Sequence, residues 1–340
     1  MNRNKPHITV LMLLSVFILS LTGCVLTGSR ARTPDQVYKS PENLPKYLGV
    51  IKIFLTRKKN NQVSGFLTSL DREYQSEITL EKNGRELRIS RDSTLAAYSK
   101  VETIEGEFRS SIRLLDLENG TDSQVILWSE ILTDSSITDP NFYPEMEKLI
   151  FSINWNDKNT IGLGSIGLDG TNYHQIDTPL HTFSEGPVVS LDGAKILVLC
   201  EGMDLESGKP GFMLCIMAND GSHRIRLTTE GNYHGTYLFS PDSKSIIYSE
   251  DEWGGILGLV NHPRYEIKRI EINGQNEHTI LEWHRAVNVL ALSRDGTEII
   301  FMDRFEEGEI PRIFIVDAYG QNLRHLAYFD EFLTDWYGEN

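Results

Sequence analysis

The sequence predicts an all-β fold, a six-bladed β-propeller of four-stranded antiparallel blades, on three observations. A short acid-marked motif recurs five times. A second, glycine-marked turn follows each copy. The stretches between them are short apolar runs of strand character.

The first marker is a small or aromatic residue, any residue, then an acid. Its copies are Ser90-Arg91-Asp92, Tyr143-Pro144-Glu145, Ser190-Leu191-Asp192, Ser240-Pro241-Asp242 and Ser293-Arg294-Asp295. The acids stand 53, 47, 50 and 53 residues apart. Four to seven residues past each acid come Ala-Ala-Tyr-Ser, Leu-Ile-Phe-Ser, Ile-Leu-Val-Leu, Ile-Ile-Tyr-Ser and Ile-Ile-Phe-Met, which read as strands. The second marker is Asn119-Gly120, Asp169-Gly170, Asp220-Gly221, Asn273-Gly274 and Tyr319-Gly320. Most of these pairs suit tight hairpins, whose central positions need positive φ. Each period thus reads as strand a, an acid-marked turn, strand b, a variable loop, strand c, a tight turn and strand d. The carboxylate of each a–b turn is expected to cap its own backbone. One such sheet cannot bury both faces alone, so copies must stack.

The termini supply the sixth blade. Residues 48–56 and 64–70 read as strands b and c, followed by a turn at Asp71-Arg72-Glu73. The C-terminal stretch 332–337 is the candidate for strand a, closing the ring by pairing with the N-terminal strands and removing free edges. A seventh blade would need about 50 further residues.

The first residues form a targeting segment. Arg3 and Lys5 precede the apolar run Ile8 to Leu19, too short for a bilayer span and right for a signal-peptide core. It ends in Leu21-Thr22-Gly23-Cys24, which resembles a bacterial lipobox. That resemblance implies cleavage after residue 23 and lipid attachment at Cys24. The reading is therefore a signal peptide over 1–23, an anchor and flexible tether over 24–46, and the propeller over 47–340. The tether segment is polar and contains Thr33-Pro34, Ser40-Pro41 and Leu44-Pro45. The expected address is the cell membrane or outer membrane, with the propeller on the extracytoplasmic side.

Composition narrows the partners. Lys+Arg is 33 and Asp+Glu is 48 in 340 residues, a formal charge of −15. Loss of residues 1–23 removes Arg3 and Lys5 and no acid, leaving −17. Such a chain is not built to bind nucleic acid, which needs clustered cations. The expected partners are an envelope protein or polymer and, through the lipid, the membrane. The expected state is a monomer.

Phe239-Ser240-Pro241-Asp242-Ser243 and Leu292-Ser293-Arg294-Asp295-Gly296 resemble the Ser-Pro-Asp-Gly repeats of the TolB-like, WD40-like β-propellers. The resemblance implies a binding scaffold, since most such propellers are not enzymes. No catalytic residue is assigned. Some propellers with similar repeats are enzymes, among them oligogalacturonate lyases, and this gives the alternative reading. His181, His234 and His284 stand 9, 6 and 9 residues before the repeat serines, ahead of strand a in consecutive blades. Three imidazoles gathered there would suit one divalent metal. The arrangement is similar in kind to the histidine-based metal site of those lyases. In the binding reading no cofactor is expected.

Other motifs are discounted or left open. Gly162-Leu163-Gly164-Ser165-Ile166-Gly167 spells a dinucleotide fingerprint but falls in a strand rather than opening a helix. Cys200 and Cys215 fall on strands b and c of one blade, either as two buried thiols or as a disulfide. The longest b–c loop, residues 251–265, is unusually apolar. Trp253, His262, Arg264 and Tyr265 in it are the candidate partner-binding residues. A second long loop, 201–211, carries Glu201, Asp204, Glu206 and Lys209.

Overall fold

A computed structural model describes the strands and tight turns between residues 57 and 328. Residues 1–56, 60–61, 69–74, 81–82, 91–93, 105–106, 118, 128–134, 156–159, 181–185, 204–209, 229–232, 253–263, 294, 304–311 and 329–340 lie outside the description. Every regular element among the described residues is a β-strand.

A three-stranded sheet comes first, with β1 (Arg57–Lys59), β2 (Gln62–Thr68) and β3 (Gln75–Thr79) in chain order. Five four-stranded antiparallel blades follow. The first holds β4 (Gly84–Ile89), β5 (Leu95–Ile104), β6 (Glu107–Asp116) and β7 (Asp122–Leu127). The second holds β8 (Ser135–Phe142), β9 (Lys148–Trp155), β10 (Thr160–Gly167) and β11 (His174–Leu180). The third holds β12 (Val188–Val189), β13 (Lys195–Met203), β14 (Pro210–Ala218) and β15 (Ile225–Arg226). The fourth holds β16 (Tyr233–Phe239), β17 (Ser245–Glu252), β18 (Arg264–Glu271) and β19 (His278–Trp283). The fifth holds β20 (Val287–Leu292), β21 (Glu298–Asp303), β22 (Arg312–Asp317) and β23 (Arg324–Tyr328).

The period-2 geometry of a strand explains why the second strands are apolar throughout. Ile196, Val198 and Cys200 of β13 point to the second blade and pack with Ile150, Leu163 and Ile176. The alternate residues Leu197 and Leu199 point to the fourth blade and meet Tyr237, Ile246 and Tyr248. A blade between two neighbours is buried on both faces, so alternation gives way to a continuous hydrophobic run. Outer strands lack a second neighbour, and β15 is exposed at both its residues. The other interfaces repeat the scheme: Ala97, Ile112 and Ile126 pack on Ile137, Leu149 and Phe151, and Ile247 and Ile267 pack on Val289, Phe301 and Phe314.

The acid-marked turns at Asp192, Asp242 and Asp295 cap their own backbone as expected, while Asp92 lies outside the described residues. Ser240 Oγ donates to Asp242 Oδ1 at 2.6 Å and accepts from the Ser245 N–H at 3.0 Å. Asp242 also accepts from the Lys244 N–H at 3.1 Å. The same network joins Ser190, Asp192, Ala194 and Lys195, and again Ser293, Asp295, Thr297 and Glu298. The serine hydroxyl bonds hold the Asp192 and Asp242 carboxyls below the usual aspartate value. Tyr143 replaces the serine in the second blade and reaches Asn219 of the third, with its hydroxyl 2.7 Å from Oδ1.

These turns gather at one end of the stack. A Cβ placed on Gly193 would lie 2.6 Å from the Glu145 carboxylate, and one on Gly296 would lie 3.3 Å from the Pro241 ring, each a contact between neighbouring a–b turns. The b–c and d–a connections therefore leave from the opposite end, here called the loop face. Gly320, in a c–d turn, has φ +76, and its Cβ would sit 1.9 Å from the Ile280 carbonyl of the preceding blade. The tight turn is thus also a docking point between blades.

The three-stranded sheet falls in the stretch where the N-terminal blade is expected, and the described residues give five four-stranded blades beside it. β2 matches the expected strand over 64–70, while 48–56 and the closing segment 332–337 lie outside the described residues. β1 is an edge of its sheet among the described residues.

Candidate functional site

The fourth and fifth four-stranded blades carry a polar and aromatic arrangement toward their loop-face ends. Its foundation is cross-strand pairing. β17 and β18 stay paired up to Glu252↔Arg264, so the connection between them is 253–263 rather than 251–265. Arg264 and Tyr265 are strand residues, opposite Glu252 and Asp251. Tyr265 is half-buried and packs on the core between the two blades with Leu281 and Trp283. It anchors the base of the loop instead of standing free on it. The other long loop shortens likewise, because Glu201 and Gly211 belong to β13 and β14.

Trp283, opposite Tyr265 on β19, extends the base. Its ring meets Phe301 and Phe314 edge-on at 5.5 and 5.1 Å, a favoured aromatic geometry. The exposed His284 ring lies 4.8 Å from Trp283. The Arg312 guanidinium sits 5.3 Å from the Phe314 ring centre. Arg312 also clamps the 304–311 connection: its backbone N–H donates to Asp303 Oδ1 at 2.8 Å and its Nε donates to Oδ2 at 3.0 Å. Its Nη2 donates to the same Oδ2, so the buried Asp303 carboxylate takes the backbone N–H on one oxygen and two charge-assisted guanidinium bonds on the other.

β17 and β18 also hold a charge network that no sequence motif marks. Glu250 and Glu266 face each other across β17 and β18, and both are buried. Like charges so placed repel unless a cation joins them. Lys268 Nζ does so, contacting Glu250 and lying 3.1 Å from Glu266. Burial alone would lower the Lys268 pKa, but the two carboxylates outweigh it and raise it to about 12. Tyr248, on the same face, donates to Glu277, and its phenol is pushed well above its ordinary value by burial and by that carboxylate.

The candidate residues are not all brought together. Trp253, His262, His181 and Cys24 lie outside the described residues. His234 is in strand β16, paired with Glu250 through the backbone, instead of preceding the strand. His284 keeps its expected place between β19 and β20. Among the described residues no group of three His, Cys, Asp or Glu is placed to hold a metal ion. Cys200 and Cys215 form a disulfide with Cα atoms 5.9 Å apart. They are diagonal, since Cys200 pairs with Met213 and Cys215 with Val198.

No family model matches the chain, and no curated protein is similar to it in sequence. Solved structures match it in fold. TolB from Acinetobacter baumannii shares 16% identity over 76% of this chain and 58% of that one, with a TM-score of 0.53. The chain therefore spans less than two thirds of that protein. Oligogalacturonate lyase from Vibrio parahaemolyticus shares 13% identity over 82% of this chain and 74% of that one, at a TM-score of 0.57. The β-propeller domain of the Trilobed protease from Pyrococcus furiosus, described as having an open velcro topology, shares 15% identity over 81% and 80%, at 0.54. Identities this low establish the fold, a TolB-like β-propeller.

Proposed function

We propose that this chain is a lipid-anchored propeller of the bacterial envelope that holds a protein or polymer partner on its loop face. The observation that carries the reading is the cysteine count. The chain has three cysteines, and the Cys200–Cys215 disulfide consumes two. A disulfide suits an exported protein. The one cysteine left over is Cys24, at the end of the signal-like segment. In this reading residues 1–23 are removed, 24–46 tether the domain, and 47–340 form the propeller. Residues 332–337 complete the three-stranded sheet as its missing strand.

Binding is assigned to the loop face because the opposite end is occupied by its own turns. The repeat carboxylates there already accept hydrogen bonds from their neighbours. The loop face instead presents two long connections on a rigid base of Tyr265, Trp283 and the Asp303–Arg312 clamp, an arrangement suited to recognition loops. Replacing 253–260 by a Gly/Ser sequence leaves this base in place. Pull-down from detergent-solubilised envelopes should then recover the wild-type partner with the native chain and lose it with the variant. An unchanged partner set would remove this loop from the account.

A further inference from the structure

The first strands of the propeller carry a feature outside the loop face. β4 and β8 each break register with their neighbour, between Arg85 and Arg88 and between Thr138 and Asn141. Each bulge places an acid in the left-handed region, Glu86 at φ 54 and Asp139 at φ 52. Both stand four residues before their repeat position, Ser90 and Tyr143. The corresponding residues of the other blades are Gly186, Thr236 and Val289, so only these two neighbours carry carboxyls there. Left-handed backbone costs a non-glycine residue about 1–2 kcal/mol and persists where surrounding contacts hold it.

Those contacts run between blades. Glu86 Oε2 accepts the Asp139 backbone N–H at 2.9 Å and the Ser99 hydroxyl at 2.5 Å. Asp139 Oδ2 accepts from Thr138 Oγ1 at 3.0 Å, and Thr138 in turn accepts from Asn154 Nδ2 at 3.1 Å. Gly186 of the next blade lies directly against Asp139, where its own Cβ would fall 2.4 Å from Asp139 Cβ. Asp139 is half-buried and thus meets residues of the blades on both sides of its own.

We infer that Glu86 and Asp139 form a proton-linked joint between the first two four-stranded blades, tight while the pair holds one proton and loosened when it is lost. Two neighbouring, half-buried carboxylates disfavour each other's charge. Burial, then the Glu86 charge, pushes the Asp139 carboxyl up to about 7. Arg88 of β4 pulls the other way. On β5, Lys100 is engaged by Glu102 at 3.0 Å. On β6, Arg113 is held by Asp122 at 2.9 Å, and Arg109 stands beside the Ser110 that accepts the Ile137 N–H. β9 presents Ser152 and Asn154, and residues 186–189 bring no titratable group.

The sign follows from proton counting. Between the ordinary aspartate value and about 7 the native chain binds one proton more than the unfolded chain, so stability falls as pH rises through that window. Thermal unfolding of the full chain from about pH 4 to about pH 9 tests this, with Asp139→Asn beside wild type. The variant should gain on wild type as pH rises to about 7 and hold a constant offset beyond it. Parallel curves would overturn the joint. Should Asp139→Asn fail to fold, Glu86→Gln removes the like charge and keeps an acceptor. It should move the window to lower pH, and an unmoved window would contradict the pairing. The infrared band of a protonated carboxyl should be present in wild type at about pH 6 and absent at about pH 9. Its absence at the lower pH would equally overturn the proposal.

Discussion

Changing Cys24 to serine should abolish fatty-acid incorporation and leave residues 1–23 on the chain. With Cys200 and Cys215 joined to each other, Cys24 is the remaining thiol, and a hydroxyl cannot replace it as acceptor of the lipid. Acyl burial contributes about 0.8 kcal/mol per methylene, so stable attachment takes more than one chain. The effect is expected to be all or none. Metabolic labelling with an alkyne fatty acid and mass spectrometry of the N-terminus read it directly. Equal labelling of wild type and Cys24→Ser, or a wild-type chain that is unlabelled and recovered free in solution, would sink the anchor.

The largest effect on stability is expected at Gly320. Alanine there meets two separate costs. The first is the left-handed backbone, at φ +76. The second is collision of the new Cβ with the Ile280 carbonyl, 1.9 Å away across the blade interface. Gly120 lies in the c–d turn of the first four-stranded blade, in a loop one residue longer and at a similar φ of +72, but a Cβ there meets nothing within 4 Å. Gly120→Ala should therefore report the backbone cost alone, about 1–2 kcal/mol. Gly320→Ala should exceed it by about 1–3 kcal/mol, the usual range for forced overpacking. Urea unfolding of the two variants gives the comparison. Equal losses would mean that the turn glycines serve the hairpins only and that the inter-blade docking point is unimportant.

That pair of glycines also shows how much of the fold was legible in the sequence. The Asn-Gly and Asp-Gly pairs located the c–d hairpins, but their turns are longer than the two residues expected, three in most blades, and only the glycine of each pair is left-handed. The pairs did not reveal the collision at Ile280, which depends on how neighbouring blades are stacked. The same division holds elsewhere. The serine–acid marker was readable because Ser240 and Asp242 satisfy each other within six residues. Strand ends were not. Arg264 and Tyr265 read as loop, yet backbone pairing with Glu252 and Asp251 carries them into β18.

The polar groups beneath the surface were the least visible. Glu250, Glu266 and Lys268 are ordinary letters in a strand until register places the two acids face to face and the lysine across them. Glu86 and Asp139 are 53 residues apart and meet only because two first strands bulge at equivalent positions. For Cys200 and Cys215 the sequence left thiols and disulfide both open. Register decides between them by setting the cysteines diagonally, at a separation that a disulfide spans.

The account rests on one face of the propeller doing the binding, and site-specific photo-cross-linking in intact cells tests this most directly. One photoreactive residue replaces Trp253 in the long connection of the loop face. Another replaces Tyr319, which is 87% exposed in a c–d turn at the opposite end. A discrete adduct from position 253 and none from 319 is the predicted result. An adduct from 319 with none from 253 would contradict it and move the working surface to the end where the turns gather.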